Sequence, residues 1–426
     1  MKKSILVFLA VIFLFSSEYL LSQEHGKELG KESVPLGVHA RSGKLIFESE
    51  DGNFQWWFDS RIQIDGAMFF EKKNQLSNGT VFRRATFALK SVLWKDWQAE
   101  IDLDFAEGVE TDKGIDARDI WIKYNFPTAN LAIQVGYFKE PFGLERLNSS
   151  RLLTFLERTS ATNSMTLGRR TGAAVRYWND YGQVTAGIFG HEYGTRIDKG
   201  RRDEGFSTNL RLTAAPINKH GMNLHLGGAY SYKIPDAVSD LAPNTIEIKA
   251  RSETYVFDPK LLHTGDITDV NYYNRYNGEF GLVLGSLYLQ GEYFKTQVVR
   301  WYNKPKINLE AAYVMATWLL TGETRAYYID EGEFGPIEKP KSSTWGAWEL
   351  KARYSTTDLN DPNLPNPNYG GKANIFSFGF NWYPNQNIKI QMEYNITDHD
   401  DHATSKGKFN GNDDFSMLQV RFQASL

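Results

Sequence analysis

The stretch Trp97–Phe105 (WQAEIDLDF) alternates strictly between apolar and polar side chains. Its polar positions include three carboxylates, Glu100, Asp102 and Asp104. Alternation with a period of two is typical of a β-strand whose two faces meet different surroundings. Because an unpaired charge in a dry core costs several kcal/mol, the carboxylate face is expected to meet water. The chain should therefore build a sheet with water on one side and either protein or lipid on the other.

The same alternation recurs along most of the chain and predicts sixteen strands. In the first of them, Phe54–Phe70, Trp56 and Phe58 share one face while Asp59 and Arg61 lie on the other. The sixteen predicted strands lie at residues 54–70, 81–93, 97–106, 116–126, 130–138, 171–178, 182–190, 205–215, 221–233, 273–284, 287–299, 307–320, 345–356, 373–383, 387–397 and 415–426.

The connections between the predicted strands alternate in length. Short turns follow every second strand, and longer polar loops occupy other junctions, such as residues 139–170, 191–204, 234–272 and 398–414. An even number of strands with one short-turn end and one long-loop end is typical of a bacterial outer-membrane barrel. The predicted fold class is therefore all-β, a 16-stranded antiparallel transmembrane β-barrel.

One junction does not fit this pattern. Residues 321–344 form a long connection where a short turn is expected. The turn is long, or part of it pairs as extra strand, or the strand count is wrong by two.

The N-terminus has the pattern of a secretory signal. Lys2 and Lys3 precede an apolar run from Ile5 to Phe15, which is too short to span a bilayer as a helix. We predict a signal peptide at residues 1–22, a periplasmic segment at 23–53 and the barrel at 54–426; a retained signal anchor is the alternative for the first segment.

Composition excludes several classes of function. The chain has no cysteine, which rules out disulfides, thiolate metal sites and a thiol nucleophile. A formal net charge of −3 indicates neither a nucleic-acid binder nor a polybasic membrane binder. Asp398–His402 (DHDDH) offers oxygen and imidazole ligands for a divalent cation, but a solvated loop is the preferred interpretation. No zinc-protease, serine-hydrolase or P-loop pattern occurs, so no enzyme activity, cofactor or metal is predicted.

Two features favour lipid, rather than a protein core, against the apolar faces. Aromatic residues crowd the predicted short turns and would form an interfacial girdle: Trp94, Trp97, Tyr177, Trp178, Tyr181, Trp382 and Tyr383. The last predicted strand also alternates and closes on the apolar Leu426, similar to the C-terminal signal of outer-membrane proteins. The alternative is a secreted β-sandwich or β-helix, whose inner faces would be apolar.

The segment Gly136–Arg158 (GYFKEPFGLERLNSSRLLTFLER) resembles the motif after the fifth strand of phosphate-selective porins O and P. Four further segments match in the family's order: Gly43–Gly66, Leu319–Tyr327, Gly346–Ser355 and Phe380–Pro384. The resemblance implies a sixteen-stranded, trimeric outer-membrane channel. It also implies that the loop after strand five folds inward and narrows the pore.

Residues 139–170 are rich in cations and form the predicted anion-binding constriction. The candidate residues are Lys139, Arg146, Arg151, Arg158, Arg169 and Arg170, set against Glu140, Glu145 and Glu157. Rings of Arg or Lys select anions, and the planar guanidinium donates two hydrogen bonds to one oxyanion. The alternative is that these arginines pair with the glutamates and only hold the loop on the wall.

Strand alternation assigns further charges of both signs to the lumen. The predicted positive set is Arg61, Arg84, Lys90 and Lys123, and the negative set is Asp59, Asp65, Glu100, Asp102, Asp104 and Asp119. Salt screens charges over about 8 Å, so their local arrangement decides selectivity. We expect an outer-membrane porin that passes small solutes and prefers anions, phosphate and polyphosphate being candidates. The mixed charges are equally compatible with a general or weakly anion-preferring pore. Its expected partners are outer-membrane lipid, small anions and two further copies in a homotrimer, and no nucleic acid.

Two other functions stay open at this point. One is an outer-membrane barrel whose loop 234–272 carries a binding or enzymatic activity. The other is a secreted, soluble, β-rich protein that acts on glycans.

A membrane barrel should require detergent for extraction and should migrate differently on gels before and after boiling. Both properties follow from a closed, hydrogen-bonded wall with an apolar outer face. Extraction of membrane fractions followed by gel electrophoresis checks this. Release by salt alone, with one mobility at all temperatures, would support the soluble alternative.

Overall fold

A computed structural model describes residues 34–41, 44–106, 115–191, 204–236, 244–256 and 260–425. The predicted signal peptide lies outside the described residues, as do the start of segment 23–53, most of loop 191–204, parts of loop 234–272, and Leu426. None of the helices in the described part has the length and apolar character needed to cross a membrane.

The described chain is almost entirely β-structure. In chain order the strands are β1 (Leu36–Arg41), β2 (Lys44–Ser49), β3 (Phe54–Phe70), β4 (Gly79–Leu93), β5 (Trp97–Asp104), β6 (Asp116–Asn125), β7 (Leu131–Lys139), β8 (Arg169–Asn179), β9 (Gly182–Phe189), β10 (Ser207–Lys219), β11 (Met222–Lys233), β12 (Lys249–Ala250), β13 (Leu262–His263), β14 (Val270–Leu284), β15 (Leu287–Arg300), β16 (Ile307–Leu319), β17 (Arg325–Tyr328), β18 (Glu333–Ile337), β19 (Ala347–Asp361), β20 (Asn368–Tyr383), β21 (Ile388–His399) and β22 (Ser416–Ser425). Two short helices, α1 (Leu144–Leu147) and α2 (Ser160–Met165), lie between β7 and β8.

Sixteen strands close into a barrel: β3 to β11, β14 to β16 and β19 to β22. Neighbours along the chain pair antiparallel, and the last strand, β22, pairs with the first barrel strand, β3. Arg421 stands opposite Asp65 across this closing pair. The prediction of a 16-stranded antiparallel barrel is confirmed.

The two faces of the wall differ as the alternation in β5 predicts. Trp97, Ile101 and Phe105 are 38, 49 and 43% exposed, whereas Asp102 and Asp104 are 8 and 0% exposed. Large apolar side chains therefore cover the outside of the barrel, and charged side chains point into the lumen. Such an inverted distribution is expected when lipid, rather than water, surrounds the wall.

The long junction between β16 and β19 contains a separate hairpin. Strands β17 and β18 pair only with each other, so the count of sixteen barrel strands stands. Arg325 of this hairpin donates to Glu349 at 3.0 Å, and the Tyr327 hydroxyl lies 2.8 Å from Nδ1 of His225. Glu349 and His225 are buried on β19 and β11, so the hairpin lies against the inner wall at the short-turn end.

A second hairpin precedes the barrel. Strand β1 pairs with β2, and β2 continues onto β3, where Phe47 stands opposite Trp56. The described part of segment 23–53 is therefore folded onto the short-turn end of the wall. Sequence alternation over six residues per strand is too brief to have distinguished this hairpin from loop.

Two β-bulges disturb the alternation and turn extra cations inward. In β4, Gln63 pairs with Arg84 but the next residue pairs with Phe82, which leaves Arg83 as the additional residue. Arg83 and Arg84 are consequently both 5% exposed. An equivalent shift in β6, between the partners of Ile101 and Leu103, directs Arg118 into the lumen as well. A bulge adds one residue to one strand and so reverses the face on which the subsequent side chains of that strand lie.

We expect Gly379→Ala to destabilise the barrel. A Cβ at Gly379 in β20 would lie 2.0 Å from the carbonyl oxygen of Met392 in β21, so the two strands would have to separate. Overpacking of this kind costs about 1–3 kcal/mol. The temperature at which the folded gel band disappears should fall. Gly278→Ala in β14 is the control, because no atom lies within 4 Å of its Cβ; equal shifts for both variants would contradict the interpretation.

Candidate functional site

The segment between β7 and β8, residues 140–168, is called the crossing loop because it contacts distant parts of the inner wall. The backbone N–H groups of Leu144 and Glu145 donate to the Glu292 carboxylate on β15, at 2.7 and 2.8 Å. The N–H of Leu156 donates to Glu393 on β21 at 3.0 Å. Inward carboxylates therefore satisfy the first two backbone donors of α1 and one donor in the segment between α1 and α2.

Inward amides and ammonium groups hold the middle of the crossing loop. The carbonyl oxygen of Thr154 accepts from Lys351 at 3.1 Å, from Asn381 at 2.9 Å and from Gln391 at 2.9 Å. Lys389 donates to the carbonyl of Leu153 at 2.9 Å. The loop is thus attached to β19, β20 and β21 by hydrogen bonds to its backbone, which are independent of its side chains.

Glu157 joins the crossing loop to the seam at which the barrel closes. Its carboxylate lies 2.6 Å from Nε of Arg83 and 2.7 Å from Nη2 of Arg421, and Arg421 also contacts Asp65 at 2.6 Å. Burial alone would raise the pKa of the Glu157 carboxyl. The guanidiniums of Arg83 and Arg421 outweigh burial and hold that pKa below its usual range.

The described part of loop 234–272 also reaches the inner wall. Glu253, buried in this loop, accepts hydrogen bonds from Arg353 at 2.5 Å, from Ser355 at 2.5 Å and from the N–H of Ser160 in α2 at 3.0 Å. Glu253 has a φ of 59°, which is uncommon for a residue other than glycine. These three contacts hold it there and connect this loop to the crossing loop.

Two water-accessible chambers lie beside the crossing loop. The upper chamber, of about 430 Å³, is toward the long loops, and the lower chamber, of about 450 Å³, is toward the short turns. Arg118, Lys139 and Arg169 line both chambers. Every described residue shared by the two linings is therefore a cation.

The upper chamber is strongly basic. Among the described residues its lining contains ten cations and three carboxylates. Tyr255 separates two of the guanidiniums, with Arg83 3.5 Å and Arg251 3.9 Å from its ring centre. Stacking on a ring holds an arginine at a fixed place in the lining.

The lower chamber carries mixed charge, with eight cations and six carboxylates in its described lining. Glu100, Asp102 and Asp119 each have a carboxylate oxygen within 4.8 Å of the others. A cation faces each of them: Lys90 lies 3.2 Å from Glu100, Arg118 3.5 Å from Asp102, and Arg169 2.6 Å from Asp119. Each of these carboxylates therefore has a cation beside it, and the three do not form a purely acidic surface.

The six candidate cations of the crossing-loop region occupy different places. Lys139 and Arg169 line both chambers, Arg146 and Arg158 the upper one and Arg151 the lower one. Arg170 lies 3.7 Å from Glu140 and is not among the described residues that line either chamber.

Several of these cations also have structural contacts. Arg158 donates to the carbonyls of Glu145 and Asn148 at 2.9 and 2.7 Å, and Lys139 to that of Leu147 at 2.5 Å. Arg151 lies 3.4 Å from Asp59. The two interpretations of the arginines, anion contact and loop attachment, therefore apply to the same side chains.

The ten charged strand residues that alternation assigns to the lumen all point inward. Asp59 and Asp119 line the lower chamber, and Asp65 pairs with Arg421. Arg61, Lys90, Lys123, Glu100 and Asp102 line the lower chamber, and Arg84 lines the upper one. Asp104 is fully buried, pairs with Arg118 at 3.0 Å and lines neither chamber in the described chain.

Sequence alternation missed several charged lining residues. Arg83 and Arg118 fall on the outer face if the strands alternate without interruption, and only the bulges turn them inward. Arg176 lies on β8, in a strand that carries no distinctive motif. The other missed residues lie in loop 234–272 or in the inner hairpin, where no periodic pattern applies: Lys249, Arg251, Lys260, Glu331 and Glu333. Conversely, the pattern assigns Tyr383 to the outer girdle, but its hydroxyl donates to the buried Glu349 at 2.6 Å.

The run Asp398–His402 has a structural use. His399 contacts Ser252 at 2.9 Å, and Asp400 accepts from Asn360 at 2.7 Å and from the N–H of Lys372 at 2.9 Å. The ring of His402 stacks on Tyr369. These contacts join the long loops to one another. Asp398 and His399 belong to β21, and His399 is buried, so this part of the run is not the solvated loop that the sequence suggests.

Comparison with known proteins identifies the family of this barrel. The family model for phosphate-selective porin O and P matches residues 56–425. The chain belongs to this family. It is 25% identical over 416 residues to Porin O of Pseudomonas aeruginosa, an alignment that covers 89% of this chain and 90% of that protein. The family predicted from Gly136–Arg158 and the other matching segments is confirmed.

Solved structures agree with the fold. An anion-selective porin from Comamonas acidovorans has a TM-score of 0.54 at 11% identity, covering 88% of this chain and 100% of that one. A trimer form of OmpT, an outer membrane protein of Vibrio cholerae, has a TM-score of 0.51 at 12% identity, with coverages of 88 and 99%.

Family membership makes the protein a bacterial outer-membrane porin, a diffusion channel with a preference for anions rather than an enzyme. In such barrels the short turns face the periplasm and the long loops face the outside. The upper chamber is therefore the external one.

Glu157→Gln should destabilise the porin most at neutral pH. Breaking a buried ion pair by removing one partner costs about 3–5 kcal/mol. Because the pKa of Glu157 is lowered in the folded protein, its contribution is complete above the ordinary glutamate pKa and is lost as pH falls through the lowered pKa. Urea unfolding of both proteins, from neutral pH to roughly pH 3, should show the difference shrinking on acidification.

Glu310→Gln is the matched control for this measurement. Glu310 pairs with Lys295 at 2.7 Å on the outer face of the wall, where both side chains are more than a third exposed and neither holds the crossing loop or the closing seam, so its loss should cost less. A loss of unfolding free energy for Glu157→Gln that equals the loss for the control would contradict the role of Glu157. A loss that grows on acidification would contradict it as well.

Proposed function

We propose that anions are selected where the two chambers meet, at Arg118, Lys139 and Arg169. The observation that carries this proposal is that these three cations are the complete set of described residues shared by both linings. A solute moving between the chambers has to pass all three. Positive groups at such a point lower the barrier for an anion and raise it for a cation.

The crossing loop is the element that narrows the path in this proposal. Its backbone is hydrogen-bonded to β15, β19, β20 and β21, so it occupies that side of the lumen. The conducting path is left on the other side, beside β3 to β8, whose inward side chains line the chambers.

Carboxylates near the proposed filter keep anion binding weak enough for release. Arg169 is paired with Asp119 at 2.6 Å, and Arg118 lies near both Asp102 and Asp104. Conduction requires sites that attract an ion but do not retain it. Phosphate and polyphosphate fit the basic upper chamber, and the carboxylates of the lower chamber would speed their exit to the periplasm.

The functional assembly we propose is a trimer in the outer membrane, reached through a signal peptide at residues 1–22. A trimer form is known for the similarly folded OmpT of Vibrio cholerae. Outer-membrane lipid would cover the exposed apolar side chains of the wall, such as Phe58, Ile62 and Phe82.

Lys139→Gln should reduce anion preference in planar lipid bilayers. The amide can still donate a hydrogen bond to the loop carbonyls that Lys139 contacts, but the positive charge at the filter is lost. The ratio of chloride to potassium permeability, read from the zero-current potential in a salt gradient, should fall roughly two- to threefold.

Lys295→Gln removes the same charge from the outer face of the wall, where the side chain is 37% exposed, and should leave the ratio unchanged. Cation preference of the unaltered porin would overturn the proposed function. A ratio that Lys139→Gln does not alter would place the filter elsewhere.

A further inference from the structure

A third cavity, of about 460 Å³, lies inside the periplasmic end of the barrel. Its walls come from the β1–β2 hairpin, the β17–β18 hairpin, the turn before β21 and the crossing loop, which contribute Ile46, Ile337, Asn387 and Leu152. Trp57 and Arg151 line both this cavity and the lower chamber. We call it the mouth cavity, because it adjoins the conducting path at the periplasmic opening.

The mouth cavity differs in chemistry from the two chambers. Nine of its described lining residues are aliphatic, aromatic or proline, and they include Ile46, Trp57, Tyr328 and Ile337. Four cations and one carboxylate, Glu338, complete its charged lining. The upper chamber, in contrast, is lined mainly by charged and polar groups.

One cation of the mouth cavity has no carboxylate partner among the described ion pairs. Arg325 is paired with Glu349 at 3.0 Å, and Lys44 with Asp59 at 2.6 Å. Lys389 is 4% exposed, and its Nζ donates to the carbonyls of Arg151 and Leu153 at 3.1 and 2.9 Å. Carbonyl dipoles orient the ammonium group, but burial without a counter-ion disfavours its charged form, and an anion in the cavity would supply the missing counter-ion.

We infer that the mouth cavity binds amphipathic organic anions, namely a carboxylate or phosphate on a short alkyl or aryl body. The head group would lie toward Lys389, and the apolar body would lie against Ile46, Ile337 and Tyr328. Volumes of roughly 300–1,000 Å³ with mostly apolar walls and a few polar anchors are typical of small-molecule sites. This inference rests on the proposed function, because such solutes reach the cavity by the anion path or from the periplasm.

Inorganic phosphate would gain nothing from the apolar wall. An alkyl carboxylate gains about fourfold in affinity for each methylene that it buries. The porin should therefore distinguish anions by their apolar surface at this end and by their charge at the filter. An anion held beside Trp57 and Arg151 would obstruct the lower chamber, which makes its binding visible as a block of current.

The test is chloride current through the complete porin in planar bilayers, with octanoate or acetate added to each side in turn. We expect octanoate to reach half-block at a concentration at least tenfold below that of acetate, and from the periplasmic side first. Ile337→Ser and Tyr328→Ser should raise the octanoate value roughly tenfold and leave the acetate value unchanged.

Tyr302→Ser is the control for these variants. Tyr302 is 80% exposed in the turn after β15 at the opposite end of the barrel, outside the lining of all three cavities. Its octanoate block should equal that of the unaltered porin, which also corrects for any effect of octanoate on the bilayer.

Equal block by octanoate and acetate, or unchanged octanoate block in both mouth-cavity variants, would overturn the inference while leaving the anion channel intact. Loss of anion preference in the unaltered porin would instead overturn the proposed function. Lys389→Gln adds a check on the head group: it should weaken block by octanoate but not by the uncharged octanol. If this variant does not fold, Ile337→Ser still decides the question.

Discussion

The side chain of Arg421 links the closure of the barrel to the position of the crossing loop, because it contacts both. It stands on the last strand, pairs with Asp65 on the first barrel strand and contacts Glu157 in the loop. It also donates to the carbonyl of Leu156. A buried guanidinium is stable only when all its neighbours are in place, because an uncompensated charge is expensive inside a protein. The wall and the contents of the lumen are therefore specified together.

The strands of the wall could be predicted because lipid and water on opposite faces impose a strict period of two, as in β5. The structure of residues 321–344 could not be predicted in this way, because β17 and β18 form a hairpin inside the barrel and neither face of that hairpin meets lipid. The inward position of Arg83 and Arg118 was missed for a different reason. A single additional residue in a bulge reverses the face to which alternation assigns the side chains. Lys249 and Arg251 reach the upper chamber through contacts between residues far apart in sequence, such as that of Glu253 with Arg353, which no local pattern contains.

The charges of β5 have a different meaning in the structure than in the sequence. Glu100, Asp102 and Asp104 indicated water on the inner face, and they also opposed a simple anion channel. The structure sets each of them beside Lys90 or Arg118, so they moderate the basic lining and do not cancel it. The imbalance is concentrated in the upper chamber, while the lower chamber is close to neutral. The two chambers differ in net charge because carboxylates pair with cations in the lower one, over distances shorter than the screening length.

The bulge in β4 has a consequence for how a solute advances along the wall. Regular alternation presents an inward side chain about every 6.8 Å along a strand, whereas the two consecutive residues Arg83 and Arg84 are separated by about half of that. Both side chains enter the lumen within one step of the backbone, Arg83 toward Glu157 and Arg84 toward Ser150. The irregularity of one strand therefore places two positive charges at neighbouring positions in the lining of the external chamber, a density that regular alternation does not reach.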